Sequence, residues 1–167
     1  MGGGERVEID LAAYVERSLH GPCFVCRIAA EDPPSQHVVH RDDRHVAFLP
    51  NFHVLLGYVI VAPVEHREEV VADFTVDEYL DLQRLVHRVG RALAAAVPTE
   101  RIYLLSLGSR QGNAHVHWHV AALPPGTPYG DQQYRALMVE TRGVLAMTDD
   151  DQRELADRIR AALEATG

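Results

Sequence analysis

Residues 115–120 read His-Val-His-Trp-His-Val. This strict alternation of polar and apolar side chains has a use in one regular backbone only. In a β-strand, residues i, i+2 and i+4 share a face. His115, His117 and His119 then project to one side, and Val116, Trp118 and Val120 project to the other, where helices can cover them. Wound as a helix, the same residues would scatter their imidazoles around the axis. The spacing therefore predicts a strand over 114–123 with one histidine face and one buried face.

The flanking sequence supplies the rest of a mixed architecture. Asp10 is placed to cap a short helix over 11–19, which Gly21-Pro22 breaks. Strand-type segments follow at 37–40, 44–49 (RHVAFL) and 57–62 (GYVIVA). Thr75-Val76-Asp77-Glu78 is a capping box opening the clearest helix, which Val97-Pro98 ends. Val76, Tyr79, Leu82, Val86, Val89, Leu93 and Ala96 give it one apolar face. Residues 102–107 (IYLLSL) read as a buried strand, and 108–113 as a polar loop. Helical segments are expected at about 131–141 and 149–165, the second capped by Thr148. Strands in one block, with helices before, between and after, predict an α+β domain with an antiparallel sheet.

Composition narrows the function. Sixteen Lys and Arg against 24 Asp and Glu give a net charge of −8. Such a chain is a poor ligand for nucleic-acid polymers or anionic membranes, although a local pocket for a small phosphate ester remains open to it. No apolar run approaches the roughly 20 residues of a membrane span. Met1-Gly2-Gly3-Gly4 runs into charged residues without an apolar core, so no secretory signal is expected and the cytoplasm is the expected compartment. There the two cysteines, Cys23 and Cys26, read better as half of a metal site than as a disulfide. The C-x-x-C lacks the preceding strand that a thioredoxin-like site needs, so zinc is favoured over redox chemistry. Three imidazoles on one face could hold one catalytic zinc. Alternatively they could divide the work between a nucleophile, a phosphate contact and a metal ligand.

The segment from His115 to Ala121 (HVHWHVA) resembles the signature of the histidine triad family of nucleotide hydrolases and transferases. Cys23 to Ile28 (CFVCRI) resembles the zinc-type N-terminal motif of that family. His45 to Leu49 resembles its second strand, and Gly57 to His66 its strand ending in Pro-x-x-His. Order and spacing agree over about residues 20–123. The resemblance implies a single domain over 1–167, with a five-stranded antiparallel sheet, a long central helix and additional N- and C-terminal helices, the last in an extension over about 131–167. It also implies a homodimer. It assigns one structural zinc per chain to Cys23, Cys26, His66 and His115, a closed set with no position left for catalysis.

The same resemblance implies a mechanism. His117 would attack the α-phosphorus of a nucleotide and form a nucleotidyl-histidine, with its second nitrogen held by a backbone carbonyl. His119 would contact the phosphoryl oxygens. Asn51, Ser106, Arg110, Gln111 and Asn113 are the substrate- and phosphate-binding candidates. Transferase and phosphorylase branches commonly carry Gln at the third triad position, so His119 favours hydrolysis. The expected substrates are dinucleoside polyphosphates, nucleoside phosphoramidates or adenylylated small molecules. A nucleotidyltransferase, or a nucleotide-binding scaffold without turnover, is the alternative. Two departures stand out. Pro50 occupies the usual ribose-binding position with Asn51 beside it, and Tyr58 replaces the common histidine after the strand glycine.

Overall fold

A computed structural model describes residues 4–31, 37–107 and 113–166. In chain order the elements are β1 (Arg6–Val7), α1 (Leu11–His20), α2 (Phe24–Ala29), β2 (Val38–Arg41), β3 (His45–Phe48) and β4 (Tyr58–Pro63). There follow α3 (Val76–Ala96), β5 (Arg101–Leu105), β6 (Trp118–Leu123), a 3-10 turn at Tyr129–Asp131, α4 (Tyr134–Leu137), α5 (Val139–Arg142), β7 (Val144–Leu145) and α6 (Asp149–Ala165). The main sheet runs β2-β3-β4-β6-β5, and each neighbouring pair is antiparallel. This is the expected five-stranded α+β architecture. No helix among the described residues is long and apolar enough to cross a membrane.

The sheet is buried on both faces by a period of two. Ala47, Leu49, Val59, Val61, Val120 and Ala122 turn towards α3 and α6 in the larger core. Val46, Phe48, Ile60 and Ala62 turn the other way and meet Val25 and Ile28 of α2. Trp118 lies in the α3 layer, with the rings of Phe74 and Tyr79 edge-on to it at 6.3 and 6.0 Å. His119, between Trp118 and Val120, therefore points away from α3 and towards the side that α2 covers.

The capping boxes are present at Thr75–Glu78 and at Thr148–Asp151, and Asp10 accepts from the Ala13 N–H. The apolar face of α3 starts later than its periodicity implies. Val76 is 74% exposed and Tyr79 36%, and burial becomes continuous from Leu82. In the first turn of α3, Val76 faces solvent and Tyr79 meets the core only through the edge contact with Trp118.

The predicted strand over 114–123 is shorter than expected, because only Trp118–Leu123 is strand. Its partner β4 pairs Val61 with Trp118 and ends at Pro63, which has no N–H to continue the ladder. The Val116 N–H bonds the Arg67 carbonyl instead, at 2.7 Å. His115 and His117 thus precede the strand. Similarly β5 ends at Leu105, so Ser106 lies just outside it. The single helix expected at about 131–141 is a 3-10 turn followed by α4 and α5. Helix α2 and the β1·β7 pair were not expected at all. Gly143 makes that last pair possible. It has φ +62°, and a side chain there would meet the Val7 carbonyl oxygen at 2.5 Å.

One buried group gives the fold an acid limit. His53, 2% exposed, is held neutral. Burial lowers its pKa from 6.5 to about 4, opposed in part by Gln152 and assisted by the nearby His37. Between pH 6.5 and about 4 the unfolded chain takes up a proton that the folded chain refuses. Stability therefore falls as pH falls through this window, by about 3 kcal/mol in all. Urea unfolding at pH 7 and pH 4.5 should show a loss that His53→Leu reduces. An identical loss in that variant would clear His53 of the effect.

Candidate active site and metal centre

Four ligand atoms converge from three parts of the chain. Cys23 caps α2, accepting the Cys26 N–H at 3.4 Å, so the first turn of that helix brings both sulfurs to one point. His66 follows the end of β4, and His115 precedes β6. The ligand atoms of Cys23, Cys26, His66 and His115 all lie within 4.8 Å of one another. The His115 Nδ1 is 3.5 Å from each sulfur, and the His66 Nδ1 is 3.2 Å from the Cys26 Sγ. A tetrahedral zinc, with Zn–S of about 2.3 Å and Zn–N of about 2.0–2.1 Å, sets sulfur–nitrogen edges of about 3.6 Å. The donor set fits such an ion.

The outer contacts fit it too. The His115 Nε2 donates to the Pro63 carbonyl at 2.9 Å, and the His66 Nε2 lies 3.2 Å from the Glu68 carboxylate. Each ring is thereby oriented with its Nδ1 towards the sulfurs, as metal-binding histidines require. Burial opposes ionisation of Cys23, but hydrogen bonds from His115, the Cys26 backbone and the Asn113 amide bring its pKa below the usual thiol value. Burial and the neighbouring Cys23 push the Cys26 pKa up. Without a cation the pair thus keeps one thiolate, and a dication would favour two.

The other two triad rings turn to a cavity of about 570 Å³. The His117 Nδ1 donates to the His115 carbonyl at 2.7 Å, so its Nε2 is the free nitrogen. The rings of His117 and His119 lie 4.7 Å apart, and Phe24 stands edge-on to His117 at 6.0 Å. Burial holds His117 below the usual imidazole pKa, opposed by the carbonyl bond and reinforced by the His115 ring. Burial and the charge of His117 take His119 down to about 3. Both rings are therefore neutral near pH 7. The His119 Nδ1 lies 2.9 Å from the Tyr58 Oη, and their rings stack at 5.7 Å. Burial raises the Tyr58 pKa, which keeps its proton in place.

Of the remaining predicted residues, Asn51, Ser106 and Asn113 all line this cavity. Asn51 is exposed, and Ser106 is half-buried. Asn113 is turned to the metal centre, donating to the Cys23 Sγ at 3.3 Å. Arg110 and Gln111 lie outside the described residues. Sequence reasoning missed the roles of Glu68, Pro63 and Phe24. Glu68 had a faint signal as a carboxylate two residues beyond His66, whereas the other two act through contacts that only the fold creates.

The sequence matches no family model and no curated protein. Solved structures do match. A hypothetical histidine triad nucleotide-binding protein from Sulfolobus tokodaii superposes with a TM-score of 0.68 at 23% identity, covering 86% of this chain and 93% of that one. A Zn-bound histidine triad family protein from Mycobacterium smegmatis gives 0.66 at 19% identity, covering 89% and 96%. A uridylyltransferase gives 0.63 at 24% identity, covering 93% of this chain but 50% of its own length. At these identities the likeness is one of fold, and the triad, the cluster of two cysteines and two histidines and the sheet order agree with it: the chain has the histidine triad fold.

Proposed function

We propose that this protein is a nucleotide hydrolase. In this reading it cleaves a nucleoside phosphate derivative at the α-phosphorus through a nucleotidyl-His117 intermediate. The observation that carries the reading is the fixed tautomer of His117. Its Nδ1 proton is committed to the His115 carbonyl, and burial keeps the ring neutral, so the Nε2 lone pair is available beside the cavity. The Tyr58 hydroxyl donates to the His119 Nδ1, which leaves the His119 Nε2–H to donate to a phosphoryl oxygen. Cys23, Cys26, His66 and His115 would hold a structural zinc, whose role is to fix the position of His115. Asn51 and Ser106 are assigned to substrate binding, together with Arg110, Gln111 and Asn113. A homodimer completes the reading.

The test is incubation with dinucleoside polyphosphates, nucleoside phosphoramidates and adenylylated small molecules in ¹⁸O-labelled water. A mononucleotide product carrying the label supports hydrolysis. Transfer to added phosphate without label supports a transferase, a reading the uridylyltransferase likeness keeps in view. No product from any compound removes the enzyme reading.

Tyr58→Phe probes the positioning of His119. It is expected to lower kcat about tenfold, since one buried imidazole nitrogen loses its partner. It should also mix the His119 tautomers, as seen by ¹⁵N chemical shift. A single unchanged tautomer would show that Tyr58 does not set it.

A further inference from the structure

The backbone that carries His115 and His117 precedes β6 and pairs with no residue of β4, whose ladder with β6 begins at Trp118. The loop after β4 takes the place of that partner. The Val116 N–H donates to the Arg67 carbonyl at 2.7 Å, and Val116 lies between His115 and His117. A loop carbonyl fixes its donor only if the loop itself is fixed, and the Arg67 side chain does this. Its Nη1 donates to the Asp73 carbonyl at 2.8 Å. The Asp73 carboxylate in turn accepts the Glu68 and Glu69 N–H groups, both at 2.9 Å. The Arg67 Nη2 donates to Glu65 and to Glu78, both at 2.7 Å, and the Nε donates to Glu65 at 3.1 Å. Glu78 uses its other oxygen in the capping box of α3, accepting the Thr75 N–H at 2.8 Å.

A second path runs from the same group to the triad. The Arg67 guanidinium lies over the Phe74 ring, 4.7 Å from its centroid, and Phe74 stands edge-on to Trp118 at 6.3 Å. Trp118 lies between His117 and His119. Val116 and Trp118 are both buried in the larger core, and His117 and His119 line the cavity. The Arg67 side chain is only 16% exposed, and all three of its nitrogens have partners. An isolated surface ion pair contributes little, but a planar fork held in several directions fixes geometry.

We propose that Arg67 is a positioning residue for the triad, its guanidinium group holding both the loop that fixes Val116 and the ring that abuts Trp118, on either side of His117. The inference rests on the hydrolase reading for its effect on turnover, and on geometry alone for its effect on His117. Arg67 need not meet the substrate. A displacement of about 1 Å in a reacting group can cost on the order of 10²-fold in rate, so a loosened loop lowers kcat and leaves KM in place.

The experiment compares the full wild-type chain with Arg67→Gln. On diadenosine tetraphosphate or adenosine 5′-phosphoramidate, kcat should fall about tenfold with KM within about twofold. Zinc content, measured alongside, should match the wild type. In ¹H–¹⁵N spectra the Val116 amide and the His117 Nδ1 proton should exchange with solvent about tenfold faster relative to the β4 amides. A merely structural role would speed all of these together. An unchanged kcat, a loss carried by KM, a parallel loss of zinc, or exchange at Val116 and His117 that keeps pace with β4 would each overturn the proposal. If Arg67→Gln does not fold, Glu78→Gln replaces it, because glutamine keeps the capping box and weakens the bond to Arg67. The same selective exchange is then expected at about threefold, and its absence overturns the proposal. If the wild type turns over neither probe, the hydrolase reading fails, and the exchange of the Val116 and His117 protons alone decides the positioning.

Discussion

Replacing His117 by alanine is expected to reduce turnover on the order of 10⁴-fold or more, because the neighbouring neutral ring, His119, has its Nδ1 lone pair engaged by the Tyr58 hydroxyl. Folding should hardly change. The lost bond to the His115 carbonyl is a single hydrogen bond of about 1 kcal/mol, or roughly 3 °C of melting temperature for a chain of this size. Added imidazole should restore part of the rate in the variant, since a free ring can enter the cavity and attack in place of the missing side chain. A variant that turns over at the wild-type rate would eliminate His117 as the nucleophile. One that fails to fold would place it among the packing residues.

Cys23→Ser is expected to abolish metal binding and to lower the melting temperature on the order of 10 °C. It removes one of four ligands from a closed site and leaves the other three around no stable ion. A structural metal commonly contributes several kcal/mol, and each kcal/mol is worth roughly 2–4 °C here. Metal analysis of the purified chain should give one zinc per wild-type chain and almost none in the variant. The same zinc should survive His117→Ala. Metal lost on changing His117 or His119, but kept in Cys23→Ser, would move the ion to the triad and favour a metallohydrolase with three histidine ligands. Activity should fall in Cys23→Ser as well, for a mechanical reason. His115 presents its ring to the sulfurs and its carbonyl to His117, so disorder at one is felt at the other.

Much of this was legible in the residues. Thr75 and Glu78 mark the start of α3 because a capping box is a local device that needs no tertiary partner. The β3 and β4 segments alternate between two cores, and the apolar β-branched run of β4 marks it as a strand covered on both faces. The four members of the metal cluster came from motif order, and the structure brings them together. What could not be read depends on contacts distant in sequence. The helix α2 has only six residues and is held by a thiol cap and by burial of Val25 and Ile28, neither visible in a propensity pattern. The start of β6 is set by Pro63, some fifty residues away, through the missing N–H in its partner strand. The partner of His119 is Tyr58, a position that the sequence marked only as a departure.

The β1·β7 pair joins Arg6 to Leu145 and Val7 to Val144. It ties down two segments that the triad and the metal ligands do not use. Tyr14, Arg17 and Ser18 of α1 reach the cavity from one of them, and Tyr134, Leu137 and Met138 from the other. The triad and the four ligands all fall between residues 23 and 119. Part of the cavity wall is thus supplied by stretches of the chain that carry none of the triad or ligand residues, and the β1·β7 pair holds those two stretches side by side.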